Sequence, residues 1–495
     1  MDFICNFPFF SIVLCLLSAV VCSVLSGRAA RRLTLIVEFV LVCLAVSVLV
    51  YTIRTGGSFN YTMGHVGAPW GNELRIGVLE ALLATAFMIV MLASVLGGGT
   101  YIVRDISEKK RNLYYVLLNL MGAALSALVY TNDIFTGYVF LEILTLTSGG
   151  ILMIKSTGKT TLAATRYLII NLLGSGLFLL GVILMYDLTG HLLMEFMHDS
   201  VVQLEAVGDY SMPLRVTTGL ICAGLAIKSG LFPFHRWMPD TYGNATPTSA
   251  SLLSGVVSKG YIFLLIKILY RVIGTGSPAV GAAQNVLFVF GLCGIIMGSV
   301  SALRQESVNR MIAYSSAAQI GYIFVGIGLG GHIGFCAAIF HILTHAVTKP
   351  LLFLSAAKLT EASGGSPVFS SLTGAAKRAP FSAAMFTVGA LSMVGFPAFA
   401  GFVSKLFFSV AAVTHSSAQS IVTLCVLAVS TLLNAYYFFR TVIRIFTPSE
   451  DVSPLVYKDW GFMASSAFFL ILNLIFGLGS QMIYRIIVSG LRMLA

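Results

Sequence analysis

The chain has 495 residues, 57% of them hydrophobic and only 10% charged, with a mean hydropathy of +0.92. So few charges could not cover the surface of a water-soluble domain of this length. The net charge of +11 does not point to nucleic acid either, because the basic residues collect in alternate loops and not in one patch.

A spanning helix needs about 20 mostly apolar residues, and the sequence holds about fourteen such windows joined by short connections. Helix 1 is expected at 9–25. Asp2 stands where a cleaved leader would carry basic residues, and the run is just long enough to span. Helix 2 follows at 33–51, then a polar outer segment at 56–75, helix 3 at 76–96 and a charged inner loop at 104–111. Helices 4, 5 and 6 are expected at 114–130, 134–154 and 162–186. An outer loop carrying Glu195, Asp199, Glu205 and Asp209 leads to helix 7 at 214–232. Helices 8 to 11 fall at 247–270, 285–303, 308–329 and 333–357. The longest inner loop lies around Gly364 and Gly365, before helix 12 at 382–411, helix 13 at 421–446 and a kinked helix 14 at 460–487. Backbone polar groups must be satisfied inside each spanning segment, and these runs are continuously apolar without the alternation of a barrel strand. The expected fold is an all-α polytopic bundle.

Pro233 interrupts helix 7 and Pro397 interrupts helix 12. Interrupted helices at corresponding positions of two halves point to inverted repeats. The expected units are 1–112 (helices 1–3), 113–271 (first repeat, helices 4–8), 284–446 (second repeat, helices 9–13) and 447–495 (the C-terminal helix). Arg28, Arg31, Arg32, Arg104, Lys109, Lys110 and Arg111 are among the basic residues in loops after odd-numbered helices. This asymmetry puts both termini outside the cytoplasm, at the cell inner membrane, with Arg485 and Arg492 opposing it mildly. The 8 cysteines are scattered without a Cys-x-x-Cys pair, which reads as small packing residues and no iron–sulfur cluster. No glycine-rich phosphate loop or its lysine is present, so direct use of ATP is not expected. The chain itself is expected to hold no cofactor, metal or catalytic centre.

The chemistry lies in charges inside the spans. Lys228, Lys259, Lys349 and Lys405 occupy helices 7, 8, 11 and 12. Each costs at least about 2.5 kcal/mol to place in hydrocarbon. Glu142, in the middle of helix 5, would stay ionised beside a lysine, and Lys228 is the candidate partner. A fixed ion pair locking two helices is the competing reading. Lys259 sits near the bilayer middle, flanked by Ser258 and Gly260, which leave room for water. An ammonium can give up its proton where a guanidinium cannot, and no arginine takes these central positions. Lys267 and Arg271, further along helix 8, are expected to reach the interface as anchors. His341, His345 and Lys349 fall at i, i+4 and i+8 on helix 11, one face spanning about 12 Å. Histidine suits proton relay near neutral pH. Bis-histidine haem or a metal site would need matched ligands on a second helix, and the other histidines (65, 191, 198, 235, 332 and 415) lie at helix ends or in loops. Glu38 and Glu80, in helices 2 and 3, are open between a functional and a local pairing role.

Several stretches carry a resemblance: residues 138–142, KSGLFPFHRW at 228–237, PDTYGNATPT at 239–248, VNRMIAYSS at 308–316, HILTHAVTKPLLF at 341–353 and residues 395–405. Together they resemble the antiporter-like subunits of respiratory complex I, of multisubunit sodium/proton antiporters and of membrane-bound hydrogenases. The segment at 67–80 looks most similar to the antiporters' D-type subunit, although that family carries an aspartate where this chain has Glu80. The resemblance implies a proton-translocating subunit of a larger complex, driven by a redox module or by a sodium gradient. It implies a switchable Glu142–Lys228 pair, Lys259 as central proton carrier, and His341, His345 and Lys349 connecting it to Lys405 near the exit. It implies partners that are other membrane subunits, with or without a hydrophilic iron–sulfur module. Two other classes remain open at this point: a free-standing transporter of an organic solute, which also uses broken helices, and a structural membrane spacer.

Overall fold

The computed structural model describes residues 3–67, 71–414, 417–448 and 458–494. His415 and parts of the segments expected at 56–75 and 447–495 lie outside the described residues. Thirteen helices among the described residues are long and apolar enough to cross a membrane. A further crossing is made by two shorter apolar helices, Pro380–Val394 and Ala400–Val413, which together form helix 12. In chain order the other crossings are helix 1 (Phe3–Val24), helix 2 (Gly27–Thr55), helix 3 (Val78–Gly97), helix 4 (Glu108–Tyr130), helix 5 (Ile134–Met153), helix 6 (Gly158–Thr189) and helix 7 (Ser211–Asn244). Helix 8 (Pro247–Ile273), helix 9 (Pro278–Leu303), helix 10 (Val308–Leu329), helix 11 (Gly331–Ala362), helix 13 (Ala418–Phe446) and helix 14 (Trp460–Leu478) complete the bundle.

The all-helical expectation holds apart from one hairpin in the outer segment. There β1 (Phe59–Thr62) pairs antiparallel with β2 (Glu73–Ile76), in the register Phe59 to Ile76. The acidic outer loop folds into an amphipathic helix, Met194–Val207, whose Met194, Met197 and Val201 face inward. The expected kinked helix 14 is two helices separated at Gly479, the second being Ser480–Leu494. It packs on helices 3 and 11, with Gly490 against the backbone of Leu79.

The two interruptions are built alike. Helix 7 stops at Ser229 and resumes at Trp237 after a short turn; helix 12 stops at Val394 and resumes at Ala400. At each stop a glycine takes the left-handed conformation, Gly230 with φ 76° and Gly395 with φ 94°. Only glycine does this without steric cost. The next amide then bonds back five residues, Leu231 to the Ala226 carbonyl at 3.0 Å and Phe396 to the Leu391 carbonyl at 2.9 Å. This closing pattern satisfies carbonyls that a helix end would otherwise leave bare in lipid. Each interrupted helix is the fourth of its expected five-helix set.

Helices 8, 10 and 11 form the buried centre, while helices 1, 2, 6, 9 and 13 present exposed apolar side chains to the lipid. Close crossings use small residues where helices meet. Gly174 of helix 6 and Gly224 of helix 7 face each other so tightly that a Cβ at Gly224 would lie 2.6 Å from the Gly174 carbonyl oxygen.

Candidate functional site

The last turn of the first half of helix 7 carries Lys228, whose side chain is wholly buried. Its amine lies 3.2 Å from Glu142 Oε1 on helix 5 and donates to Thr145 Oγ1 at 2.7 Å. Glu142 remains 24% exposed, so the pair sits at the edge of the bundle. Thr145 also shares a 3.1 Å hydrogen bond with the Tyr261 hydroxyl of helix 8, and the Lys228 amine stands 5.5 Å from the centre of that ring. The expected pair is therefore formed, and its connection to helix 8 runs through Tyr261.

Lys259 is fully buried two residues earlier on helix 8. Its amine curls back to donate to the Ser254 carbonyl and to Ser258 Oγ, the latter at 3.1 Å. It can reach Ser254 because Leu253–Val257 is a π-helical turn, a device that recurs at functional sites. The turn packs on helix 11 at Pro350, with Gly255 close enough that a Cβ there would meet the proline ring at 3.0 Å. Proline lacks the N–H that would bond the Ala346 carbonyl, so the helix 11 backbone is also irregular here. Such backbone survives at membrane depth only when enclosed by protein or facing a hydrated space.

Lys349 is buried one residue before Pro350. It donates to Ser315 Oγ at 2.6 Å and to the Ile312 carbonyl at 3.2 Å, both on helix 10. That carbonyl also accepts from Ser316 at 3.0 Å, and Ser316 shares a 3.1 Å bond with Ser254. Lys259 and Lys349 are thus joined by a short ladder of serines. His345 is fully buried, within electrostatic reach of Lys259, Lys349 and His341, and neither of its ring nitrogens has a hydrogen-bond partner among the described residues. The His341 and His345 rings are 6.2 Å apart. His341 Nδ1 bonds Ser404 Oγ at 2.6 Å, and its other face stacks on Tyr322. Lys405, next to Ser404 on helix 12, donates to the Val394 carbonyl at 2.6 Å and to Thr431 Oγ1 at 3.0 Å. The amine thereby meets the negative end of the first half of helix 12.

All seven expected residues lie inside the bundle, with Glu142 and Lys405 the partly exposed ones at either side. Within the row, Lys349 lies one turn along helix 11 from His345, on the side opposite His341, and is tied to helix 10. The i, i+4, i+8 spacing placed the three on one face, but only the packing of helices 10 and 12 shows which end meets which neighbour.

Lys267 and Arg271 are not interfacial anchors. They are 0% and 5% exposed. Lys267 donates to the carbonyls of Val129 and Thr131, at 2.9 and 2.5 Å, and Arg271 bonds Asn132. Lys267 caps the C-terminal end of helix 4, where bare carbonyls favour a cation, and Arg271 holds the Asn132 side chain just beyond it. Snorkelling fails here because helix 8 is central and its end is covered by helices, not by headgroups. Glu80 is also explained locally: its carboxylate accepts from the Gly77 N–H at 3.1 Å and starts helix 3. The hydroxyls Thr145, Tyr261, Ser254, Ser315, Ser316 and Ser404 escaped the sequence reading. Serine and threonine in spanning helices usually bond back to their own i−4 carbonyl, as Thr145 does to Leu141 at 2.8 Å, so they carry no sign of a second role.

Fourteen crossings among the described residues, two interrupted helices and an interior row of amines and imidazoles define an antiporter-like membrane subunit. The chain belongs to the NADH:quinone oxidoreductase/Mrp antiporter transmembrane family, which matches residues 131–432. It is 34% identical to NADH-quinone oxidoreductase subunit N of Desulforudis audaxviator over 80% of this chain and 76% of that one. It is 26% identical to the D-type Na(+)/H(+) antiporter subunit of Bacillus subtilis over 88% and 86%. Its fold is shared with a chain of the archaeal membrane-bound sulfane sulfur reductase, at TM-score 0.89 and 24% identity over 98% of this chain and 97% of that one. A chain of the Mrp complex from Dietzia sp. gives TM-score 0.87 at 23% identity, covering 100% and 98%. A chain of respiratory complex I from Thermus thermophilus gives 0.75 at 22%, covering 97% and 100%. All three structures are of multisubunit membrane complexes.

Proposed function

We propose that this subunit moves protons along the row Glu142, Lys228, Lys259, Lys349, His345, His341 and Lys405, within a multisubunit complex. The observation that carries the proposal is the ion pair at one end, Glu142 to Lys228 at 3.2 Å, coupled through Thr145 and Tyr261 to the helix that bears Lys259. When the pair closes, Glu142 no longer helps to hold a charge on Lys259, whose proton passes toward His345. When it opens, Lys259 reloads. One charge acts strongly on its neighbour at low dielectric, and the row titrates as a unit. Lys349, held by helix 10, supplies Lys259 through the serine ladder. His345 passes the proton to His341, and Ser404 bridges to Lys405. The orphaned nitrogens of His345, His341 Nε2 and both ends of the Gln319 amide support bridging water, since buried polar atoms need partners.

Partners are further membrane subunits, because both ends of the row are partly exposed and can couple to charges on neighbours. The driving force is a redox module with iron–sulfur centres or a sodium gradient, and the subunits that co-purify distinguish them. This chain contributes no cofactor. The basic residues Arg31, Arg104, Lys155 and Lys159 gather at one end of the bundle; the hairpin and Met493, held by Arg75 at 2.5 Å, lie at the other. By the positive-inside rule this grouping supports the reading that both termini lie outside the cytoplasm. The test is Lys259→Met in the reconstituted complex. Assembly is expected to persist while proton translocation stops, and transport at the wild-type rate refutes the carrier role.

A further inference from the structure

Glu38 belongs to none of the groups above. It lies on helix 2, is 1% exposed, and its Oε2 has no hydrogen-bond partner among the described residues. No lysine, arginine or histidine among them forms an ion pair with it. Every other member of the buried stripe on helix 2, from Ala30 through Val37, Leu41 and Ala45 to Thr52, is apolar or a threonine. The helix packs on helices 1, 3 and 4. Cys15 and Cys22 face it from helix 1, with Cys15 in electrostatic reach of Glu38. Helix 3 offers only Glu80, at its outer start, and helix 4 offers Tyr115 and, at its inner start, Arg111. Arg31, on the same helix, is two turns nearer the inner end.

Depth adds a second point. Gly27 and Pro247 start helices 2 and 8 at the same end of the bundle, since Arg31 touches Gly99 and Thr248 bonds the Gly98 carbonyl. Glu38 is about 16 Å along its helix and Lys259 about 18 Å along its own. Both therefore stand near mid-membrane, but apolar side chains separate them. Cys15 and Met91 pack around Gly122 beside helix 1, and Leu125 closes on Gly260.

An uncompensated buried carboxylate is too costly to persist, so the group must be neutralised by a bound cation. The neighbouring oxygens are already committed to one another. Ser18 donates to Asn119 Oδ1 at 2.9 Å, and Asn119 Nδ2 donates to Thr34 Oγ1 at 2.9 Å. A metal ion needs several free oxygen ligands, and among the described residues the side-chain oxygens of Asn119 and Thr34 already accept hydrogen bonds while Glu38 Oε2 has no partner. We infer that Glu38 is a second, separate proton-binding site, held in the first three helices outside the lysine row. It does not rest on the relay proposed above.

The test is labelling of the intact complex with dicyclohexylcarbodiimide, which attacks protonated carboxyls in apolar surroundings, followed by peptide mass spectrometry. Glu38 is expected to label and to lose at least tenfold of its labelling as pH is raised, with no effect of sodium. Protection by sodium at fixed pH overturns the inference in favour of a metal site. Absent or pH-independent labelling overturns it in favour of a fixed carboxyl. In Lys259→Met the labelling is expected to be unchanged, and its loss would place Glu38 inside the row. The infrared band of a protonated carboxyl should disappear in Glu38→Gln; should that variant fail to assemble, Glu38→Asp and the wild-type pH series decide.

Discussion

Shortening the acid of the switch pair by one methylene tests the mechanism at its most quantitative point. In Glu142→Asp the carboxylate draws back by about one C–C bond, 1.5 Å. The separation from Lys228 grows from 3.2 Å to about 4.7 Å. With an effective dielectric of about 20, the attraction falls from about 5.2 to about 3.5 kcal/mol. A difference of about 1.7 kcal/mol is about 18-fold in the equilibrium between closed and open pairs. The exposed quarter of Glu142 screens the pair, so this is a ceiling. Proton translocation by the reconstituted complex, followed with a pH-sensitive dye in vesicles, should fall by up to that factor. Glu142→Gln, which leaves the Lys228 amine with only Thr145, should fall further, by at least about tenfold beyond the aspartate. Wild-type rates in both variants would mean that the ion pair only locks two helices, and the switch would have to be abandoned.

Other outcomes follow from the same contacts. Ser404→Ala removes the bridge between His341 and Lys405 and should slow translocation about three- to thirtyfold while leaving assembly intact, as a loss of one buried hydrogen bond implies; an unchanged rate would take Ser404 out of the path. Lys267→Met should do the opposite. It uncovers two carbonyls of helix 4 and should cost about 1–3 kcal/mol of thermal or denaturant stability, with the transport rate per assembled complex preserved. Asp459, just before helix 14, pairs with Lys358 at 3.1 Å. Burial alone would raise its carboxyl, but the Phe462 N–H, Lys358 and Thr100 hold it below the usual range. Its contribution to stability is therefore complete above about pH 4 and is lost as pH falls through the lowered native value. Asp459→Asn should abolish that part of the acid unfolding profile, and an identical profile would show that the pair does not stabilise the chain.

Much of this protein was legible in the residues alone. Spans are set by local hydropathy, because lipid forces each crossing to satisfy its own backbone, and charges inside them stand out against that background. Hence Glu142, the four lysines and the two histidines could be found without coordinates, and Gly230–Pro233 with Gly395–Pro397 marked both interruptions. What the sequence could not supply was who faces whom. Lys267 and Lys259 look alike on one helix, yet one caps helix 4 and the other curls onto a π-turn beside Pro350. The three groups on helix 11 are evenly spaced, but Ser404 claims one end and Ser315 the other. Those choices depend on side chains brought together from residues far apart in the chain. A polar group in a membrane interior is defined by the partner that spares it from lipid, and that partner exists only once the helices have packed.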